Sequence, residues 1–402
     1  MSKRPDPRPR CPFREAPSLD RVERRLDLLE DRYASSGAPL DDLLARKGVS
    51  RRDFLRWTSF MTAALCLPPV FERSVARAAA LAPRVPVVWL HLQECTGCTE
   101  SALRSAYPGI SELLLEYLSF EYHETIMAPA GHAAEKSLED ALERYRGEYL
   151  CVMEGSIPTA MHGKYLRIGP NGETGLSLAR RVASGAKVVI AIGHCASWGG
   201  PQSAVPNPTG AKPVHEALGI RTIRIPGCPY NAVNLVGTIL NLLLTGEVPA
   251  LLDGRPAWAY AKRIHDTCPR RAHFDAGEFV ERWGDEGAQK GFCLYKMGCK
   301  GPYTWNNCNE MQWNEAASFP IRAGHGCIGC SEDAFWDQMA PLEKPLAEGG
   351  IQIPFLRGVE GTVDSLGWAL VGGAAAGIAT HAVYSGLVKR AQESRKDLDK
   401  KE

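Results

Sequence analysis

The chain has 402 residues, 45% of them hydrophobic, which is enough for two domains with real cores. Its 47 basic and 46 acidic side chains leave a formal net charge of +1, so there is no electrostatic footprint for nucleic acid. Thirteen cysteines are about 3% of the chain, well below the density of a disulfide scaffold, so their spacing must carry the argument.

The stretch from Leu19 to Tyr33 has helical spacing and heavy charge, and reads as a solvated helix or a handle for a chaperone. Ser50-Arg51-Arg52-Asp53-Phe54-Leu55-Arg56 then leads into a modestly apolar run from Trp57 to Val70, followed by small residues around Ala76 to Ala80. This pattern predicts a twin-arginine export signal cleaved near Ala78 to Ala80, so that residues 1–80 form a leader with a long region ahead of the arginine pair. The competing reading is a basic patch before a short core helix.

From Val85 to Lys262 apolar runs alternate with amphipathic stretches. Val85 to Leu92, Tyr149 to Met153, Lys187 to Ile192 and Ile220 to Ile225 read as buried strands. Ser101 to Leu118, Glu135 to Arg146, Leu176 to Ser184 and Asn231 to Leu244 read as helices. Such alternation predicts an α/β domain, a parallel sheet covered on both faces. Each strand ends at chemically loaded residues: Glu94-Cys95-Thr96-Gly97-Cys98, Glu154-Gly155-Ser156, Gly193-His194-Cys195 and Pro226-Gly227-Cys228-Pro229. Sites in open α/β sheets form outside the carboxyl ends of the strands, so Cys95, Cys98, Cys195 and Cys228 are expected to converge on one edge. Four thiolates suit a cubane iron-sulfur core. The isolated Cys151 lies within a strand and reads as packing.

Beyond His265 the chain is dense in glycine, asparagine, cysteine and aromatics and poor in strand-length apolar runs, so a smaller loop-rich domain over residues 263–361 needs metal ligation to hold it. His265, Cys268, Cys293 and Cys299 form a second ligand group, which by residue type suits zinc or an iron-sulfur cluster equally. Cys308, Cys327 and Cys330 form a third. With three thiolates, and Pro320 unable to ligate, the economical occupant is a three-iron cluster, the alternative being a fourth ligand not evident in the sequence, or water.

Ser365 to Val388 carries no charged side chain. Twenty-four residues at the helical rise span about 36 Å, against a hydrocarbon core of about 30 Å. A transmembrane anchor over residues 363–388 follows, with Gly373 and Gly377 as a helix-packing face and His381 as a costly polar residue within it. Lys389, Arg390, Arg395 and Lys396 place the tail, residues 389–402, on the cytoplasmic side.

Three motifs, Glu94 to Glu100, Cys293-Leu294-Tyr295-Lys296-Met297-Gly298-Cys299-Lys300-Gly301-Pro302 and Gly324-His325-Gly326-Cys327-Ile328-Gly329-Cys330, together with His265 to Cys268 and the following Arg270 to Gly277, carry a resemblance. The chain resembles the small subunit of membrane-bound periplasmic nickel-iron hydrogenases from Arg51 to the end of the anchor. The resemblance implies a flavodoxin-like domain over residues 81–262 with a proximal 4Fe-4S cluster on Cys95, Cys98, Cys195 and Cys228. It implies a distal 4Fe-4S cluster on His265, Cys268, Cys293 and Cys299, and a medial 3Fe-4S cluster on Cys308, Cys327 and Cys330. Electrons from hydrogen would pass proximal, medial, distal, then to a membrane cytochrome b and quinone. The nickel-iron centre would belong to a separate large subunit, leaving no catalytic residue here beyond a proton relay at Glu94 or Glu154. The rival is an iron-sulfur relay subunit without hydrogenase activity, akin to the cluster-bearing subunit of complex I. Some oxygen-tolerant relatives carry extra cysteines where this chain has Gly97 and Gly200, so an ordinary proximal cubane is expected. His194 stands where Thr or Ser is common, and Tyr230 where Pro is.

Overall fold

The computed structural model describes residues 17–32, 44, 50–82, 85–103, 119–313, 317–333, 335–346, 351–352, 360–361 and 363–398. The chain forms two compact units, Met1–Lys344 and Pro345–Glu402.

The first unit is built on five strands: β1 (Pro86–His91), β2 (Ser119–His123), β3 (Leu150–Glu154), β4 (Val188–Ile192) and β5 (Ile223–Ile225). All neighbouring pairs are parallel, in the order β2-β1-β3-β4-β5, which is the flavodoxin-like winding. Four of these strands are the expected ones; β2 is an addition. Its sequence, Ser-Phe-Glu-Tyr-His, lacks an apolar run because it lies at the edge, with only Tyr122 and His123 buried.

Side-chain alternation divides the strands between two cores. Val87, Trp89, Leu150, Val152, Ile190, Ile192, Ile223 and Ile225 belong to one. Val88, Leu90, Cys151, Met153, Val189 and Ala191 belong to the other, so Cys151 is buried packing. The second face is covered by helices His132–Arg144 and Gly175–Gly185, the latter capped by Thr174 accepting from the Ser177 amide.

The first face is covered by four helices: α1 (Leu19–Arg32), α2 (Arg51–Ala64), α3 (Glu72–Leu81) and α4 (Ala232–Thr245). Thus α1, α2 and α3 do not stand apart from the body. The arginine pair opens α2 behind a Ser50 cap, and the helices that follow pack as core. Of the expected helix Ser101–Leu118, the described portion ends at Leu103; the rest lies outside the described residues.

The described part of residues 263–344 contains only helical turns of three to five residues and isolated bridges. Its apolar cluster holds eight buried residues among those described: Ile264, Val280, Leu294, Met297, Cys299, Phe319, Ile321 and Cys327.

The second unit pairs Ile351–Gln352 with Glu360–Gly361 and continues into a helix, Val363–Leu398. Leu370–Arg390 is long and apolar enough to cross a membrane by length and composition, and the helix runs on through the basic tail.

Candidate metal centres

The carboxyl edge of the sheet collects the first ligand group. Cys95 and Cys98 follow β1, Cys195 begins the short helix after β4, and Cys228 follows β5. A side chain at Gly193, where φ is +77°, would collide with Cys98 Sγ, and one at Gly200, where φ is +72°, would sit 2.5 Å from Cys195 Sγ. These left-handed glycines let the backbone close around the sulfurs. A Cβ at Gly97 would likewise sit 3.2 Å from Cys95 Sγ, so side chains at 97 and 200 would each meet a different candidate ligand. Burial, with the neighbouring Cys228 and Cys95, pushes the Cys195 thiol up to about 12.

Glu154 ends β3 opposite His91 of β1 and is buried. Its Oε1 accepts from the amides of Cys98 (3.0 Å) and Thr99 (3.3 Å); its Oε2 accepts from Thr99 Oγ1 (2.6 Å) and the Trp89 indole (3.3 Å). The carboxylate therefore faces inward and fastens the loop carrying Cys98. Glu94 differs. Its Oε1 lies 3.1 Å from His91 Nδ1, while its buried Oε2 has no partner. Of the two relay candidates, Glu94 is the one with an unpartnered oxygen.

His265, Cys268, Cys293 and Cys299 line one pocket of about 340 Å³ including the solvent at its mouth, together with Arg270, Arg271 and Tyr295. His265 Nε2 is buried without a partner, and burial lowers the imidazole to about 4, leaving it neutral and able to ligate. Cys299 Sγ accepts from the amides of Gly301 (3.4 Å) and Cys327 (3.3 Å), and Cys268 Sγ from the Arg270 amide (3.4 Å).

In the third group, Cys308 Sγ accepts from the Trp313 indole (3.1 Å) and Cys327 Sγ from the Gly329 amide (3.4 Å). Cys330 is pushed up to about 12 by burial and held back by a hydrogen bond from the Cys228 backbone; its neighbours include Cys308 and Cys228. Cys330 thus leans on the first group, while the Cys327 amide bonds a sulfur of the second. The third group lies between the other two. Pro320 is exposed, and its carbonyl accepts the His325 amide (2.9 Å).

Among the described residues, the one trio of His, Cys, Asp or Glu ligand atoms within 4.8 Å of one another is His91, Glu94 and Glu154. The cysteine groups are spread more widely. Zinc holds its ligands at about 2.0–2.3 Å, which puts them about 4 Å apart. A multi-iron core fits the wider cage, and the orphaned His265 nitrogen fits it too. The described cysteines form no disulfide with one another.

Several residues support these groups through contacts that their sequence positions do not reveal. The buried Lys300 ammonium donates to the carbonyls of Gly298 (2.8 Å), Pro341 (3.3 Å), Leu342 (3.4 Å) and Lys344, tying the 341–344 strap beneath Cys299. His194 Nε2 donates to the Glu332 carbonyl (3.0 Å) and its ring meets Phe335 edge-on, while Trp198 donates to the Ser331 carbonyl (3.0 Å). His194 is therefore a strut from the Cys195 helix to the loop after Cys330. Burial lowers it to about 4, so it is neutral.

Beside Glu94, burial pushes Glu124 up to about 7. Its carboxyl accepts from the His91 amide (3.2 Å) and Tyr122 (3.3 Å). A carboxyl raised on folding means that the native state binds more protons than the unfolded chain. Its contribution is full below the unfolded value of 4.5 and is lost as pH rises through about 7. His123, lowered to about 3 by burial, acts oppositely, contributing above pH 6.5 and losing that contribution as pH falls toward 3. Replacement of Glu124 by Gln is expected to remove the loss of stability between pH 4.5 and 7 while leaving the His123 limb. Thermal midpoints of both proteins across pH 3–9 check this; parallel profiles would contradict it.

A parallel sheet with candidate sulfur ligands at its carboxyl edge, joined to a loop-rich segment with two further candidate groups, defines an iron-sulfur electron-transfer protein. Residues 260–343 match the C-terminal family of the NiFe/NiFeSe hydrogenase small subunit, and residues 95–242 match the family of the 20 Kd subunit of NADH ubiquinone oxidoreductase. The quinone-reactive Ni/Fe-hydrogenase small chain of Wolinella succinogenes is 50% identical over 349 residues, 86% of this chain and 99% of that one. The uptake hydrogenase small subunit of Azotobacter vinelandii is 47% identical over 353 residues, 87% of this chain and 96% of that one. Among solved structures, the reduced, active Ni-Fe-Se hydrogenase from Desulfomicrobium baculatum superposes with a TM-score of 0.60 at 33% identity, covering 65% of this chain and 99% of that one. The chain belongs to the nickel-iron hydrogenase small subunits. It carries iron-sulfur clusters and has hydrogenase activity as one half of a heterodimer with a large subunit.

Proposed function

We propose that this chain is the electron-transferring subunit of a membrane-bound uptake hydrogenase on the periplasmic face of the cytoplasmic membrane. Cys95, Cys98, Cys195 and Cys228 would hold a proximal 4Fe-4S cluster, Cys308, Cys327 and Cys330 a medial 3Fe-4S cluster, and His265, Cys268, Cys293 and Cys299 a distal 4Fe-4S cluster. Bound there, the clusters supply one-electron carriers in that order. The observation that carries the order is the medial position of the third group, with Cys330 bonded to the Cys228 backbone and the Cys327 amide bonded to Cys299.

The protein's own groups set conditions for those carriers. Amide and indole donors to Cys268, Cys299, Cys308 and Cys327 stabilise negative charge on sulfur and raise the potentials of the medial and distal groups. A neutral His265 in place of a thiolate lowers the negative charge of the distal group, which suits the exit. With glycine at 97 and 200, the proximal site has four thiolates and no extra ligand. Glu94, with its unpartnered oxygen beside His91, is the better relay for protons.

The arginine pair exposed at the start of α2 supports twin-arginine export with cleavage near Ala78 to Ala80. The apolar window Leu370–Arg390 supports a single anchor with its basic end in the cytoplasm. A relative named as quinone-reactive supports a quinone acceptor, reached through a membrane cytochrome b.

The relay-without-hydrogenase alternative draws on the match of residues 95–242 to the oxidoreductase family, but residues 260–343 match a hydrogenase-specific one. Purification from membranes is expected to yield a nickel-containing partner, iron in excess of nickel by about elevenfold before counting the partner's own iron, and hydrogen-dependent dye reduction. A preparation with iron but without a nickel-bearing partner would overturn the proposal.

A further inference from the structure

We propose that helices α1–α3 are a removable cover for the apolar face of α4, and that the large subunit takes their place during assembly. This rests on reading residues 1–80 as a processed leader and the chain as half of a heterodimer.

Helix α4 buries twelve of its fourteen residues, Leu235, Val236, Ile239, Leu240, Leu243 and Leu244 among them. One side of such a helix rests on the sheet. The other is covered by α1 and α3, with Met61 of α2 reaching Gly237, where an added side chain would come within 3.3 Å of the Met61 methyl. The cover also serves the helix end. Arg25 Nε donates to the Leu243 carbonyl (2.8 Å), one of the last carbonyls that a helix leaves without an intrahelical partner, and Nη2 to that of Leu242 (3.4 Å), which the Gly246 amide also bonds. Within the cover, α1 is clamped to α3 by Arg77, which bonds Glu23, Asp27 (2.5 Å) and Glu30 (2.8 Å).

Cleavage near Ala78 to Ala80 would remove all of this and uncover one side of a short apolar helix. It also cannot proceed in the covered state. Ala78 and Ala79 have no exposure and lie inside α3, whereas a peptidase needs an accessible, extended chain. The cover must lift first.

The occupant follows from where α4 begins. Ala232 is four residues beyond Cys228, which is exposed, as is Cys95. Ser101 Oγ bonds the Tyr230 carbonyl (2.7 Å), which ties the helix carrying Cys98 to the segment that leads into α4. The subunit that delivers electrons must approach that edge, and its surface can extend directly onto α4. A second copy of this chain has no such reason to lie there.

Hydrogen–deuterium exchange on the full-length chain, alone and bound to the large subunit, tests the exchange of partners. Alone, residues 57–61, 74–81 and 235–244 are expected to be protected. In the nickel-bearing complex, residues 51–81 should exchange faster by about 100-fold while 235–244 stay protected. Arg77→Glu, which sets like charges against three carboxylates, should speed complex formation by about fivefold. A leader still protected in the complex, residues 235–244 exposed there, or an unchanged assembly rate in the variant would each overturn the proposal with the functional reading intact. Failure of any nickel-bearing complex to form would overturn both, and so is distinguishable.

Discussion

Removal of iron is expected to unfold residues 263–344 while the five-stranded sheet stays folded. Among its described residues the segment has no strand pairing beyond isolated bridges, no helix longer than five residues, and an apolar cluster in which two of the eight buried residues are themselves ligand candidates. Edge-on contacts of Phe274 with Phe279 and Tyr295, and Asn309 bonded to Thr267, add local order. Aromatic pairs contribute only about 0.5–1.5 kcal/mol each beyond area burial. Structural metal sites, by contrast, contribute on the order of 10–16 kcal/mol of apparent folding free energy. The sheet owes nothing comparable to metal, since its central strands are buried on both faces by apolar cores. Exchange measured after anaerobic chelation should therefore show amides of 264–344 losing protection by several orders of magnitude, with 150–154 and 188–192 changing little. Undiminished protection of 264–344 would mean that its aromatic and asparagine contacts suffice.

Replacing Glu154 by Ala should cost the proximal group its iron. The carboxylate accepts from Cys98 N, Thr99 N, Thr99 Oγ1 and Trp89 Nε1, and no second acceptor stands by for the two amides. Each buried donor left without a partner costs about 1–3 kcal/mol. The loss falls on the turn that carries Cys98, so the preorganised thiol geometry goes with it. The expected result is a heterodimer short of about four iron atoms per chain, with hydrogen-dependent dye reduction abolished and exchange at 96–100 accelerated. Glu154→Gln should lie between, because its amide oxygen can still serve Cys98 and Thr99 while its NH2 opposes the donors of Thr99 and Trp89. Full iron content in the alanine variant would show that the loop is held by its ligands alone. A deficit confined to proton-coupled steps, with iron intact, would return Glu154 to the role of relay.

The departures from sequence expectation concern long-range contacts. Glu154 reads in the sequence as a carboxylate at a strand end, facing the interface edge. The structure turns it inward because the register sets it opposite His91, beside the first turn after β1. The edge strand β2 has no apolar run to announce it, because half of it faces outward and none is required. Residues 51–81 combine features of both sequence readings in one structure: an exposed arginine pair, and apolar helices packed as core.

The sequence by itself marked the candidate ligands, the strand ends that carry the first group, and the family. Strand periodicity, helix spacing and motif spacing are local properties, and a parallel sheet necessarily brings its carboxyl ends to one edge. Only the tertiary structure decided how the groups stand to one another. The last three cysteines in the chain lie between the first four and the histidine-bearing group because the 327–330 loop folds back, one end bonded to Cys228 and the other to Cys299. Spacing along a chain carries no information about that return. Packing of Lys300, His194 and Glu332 between distant loops supplies it.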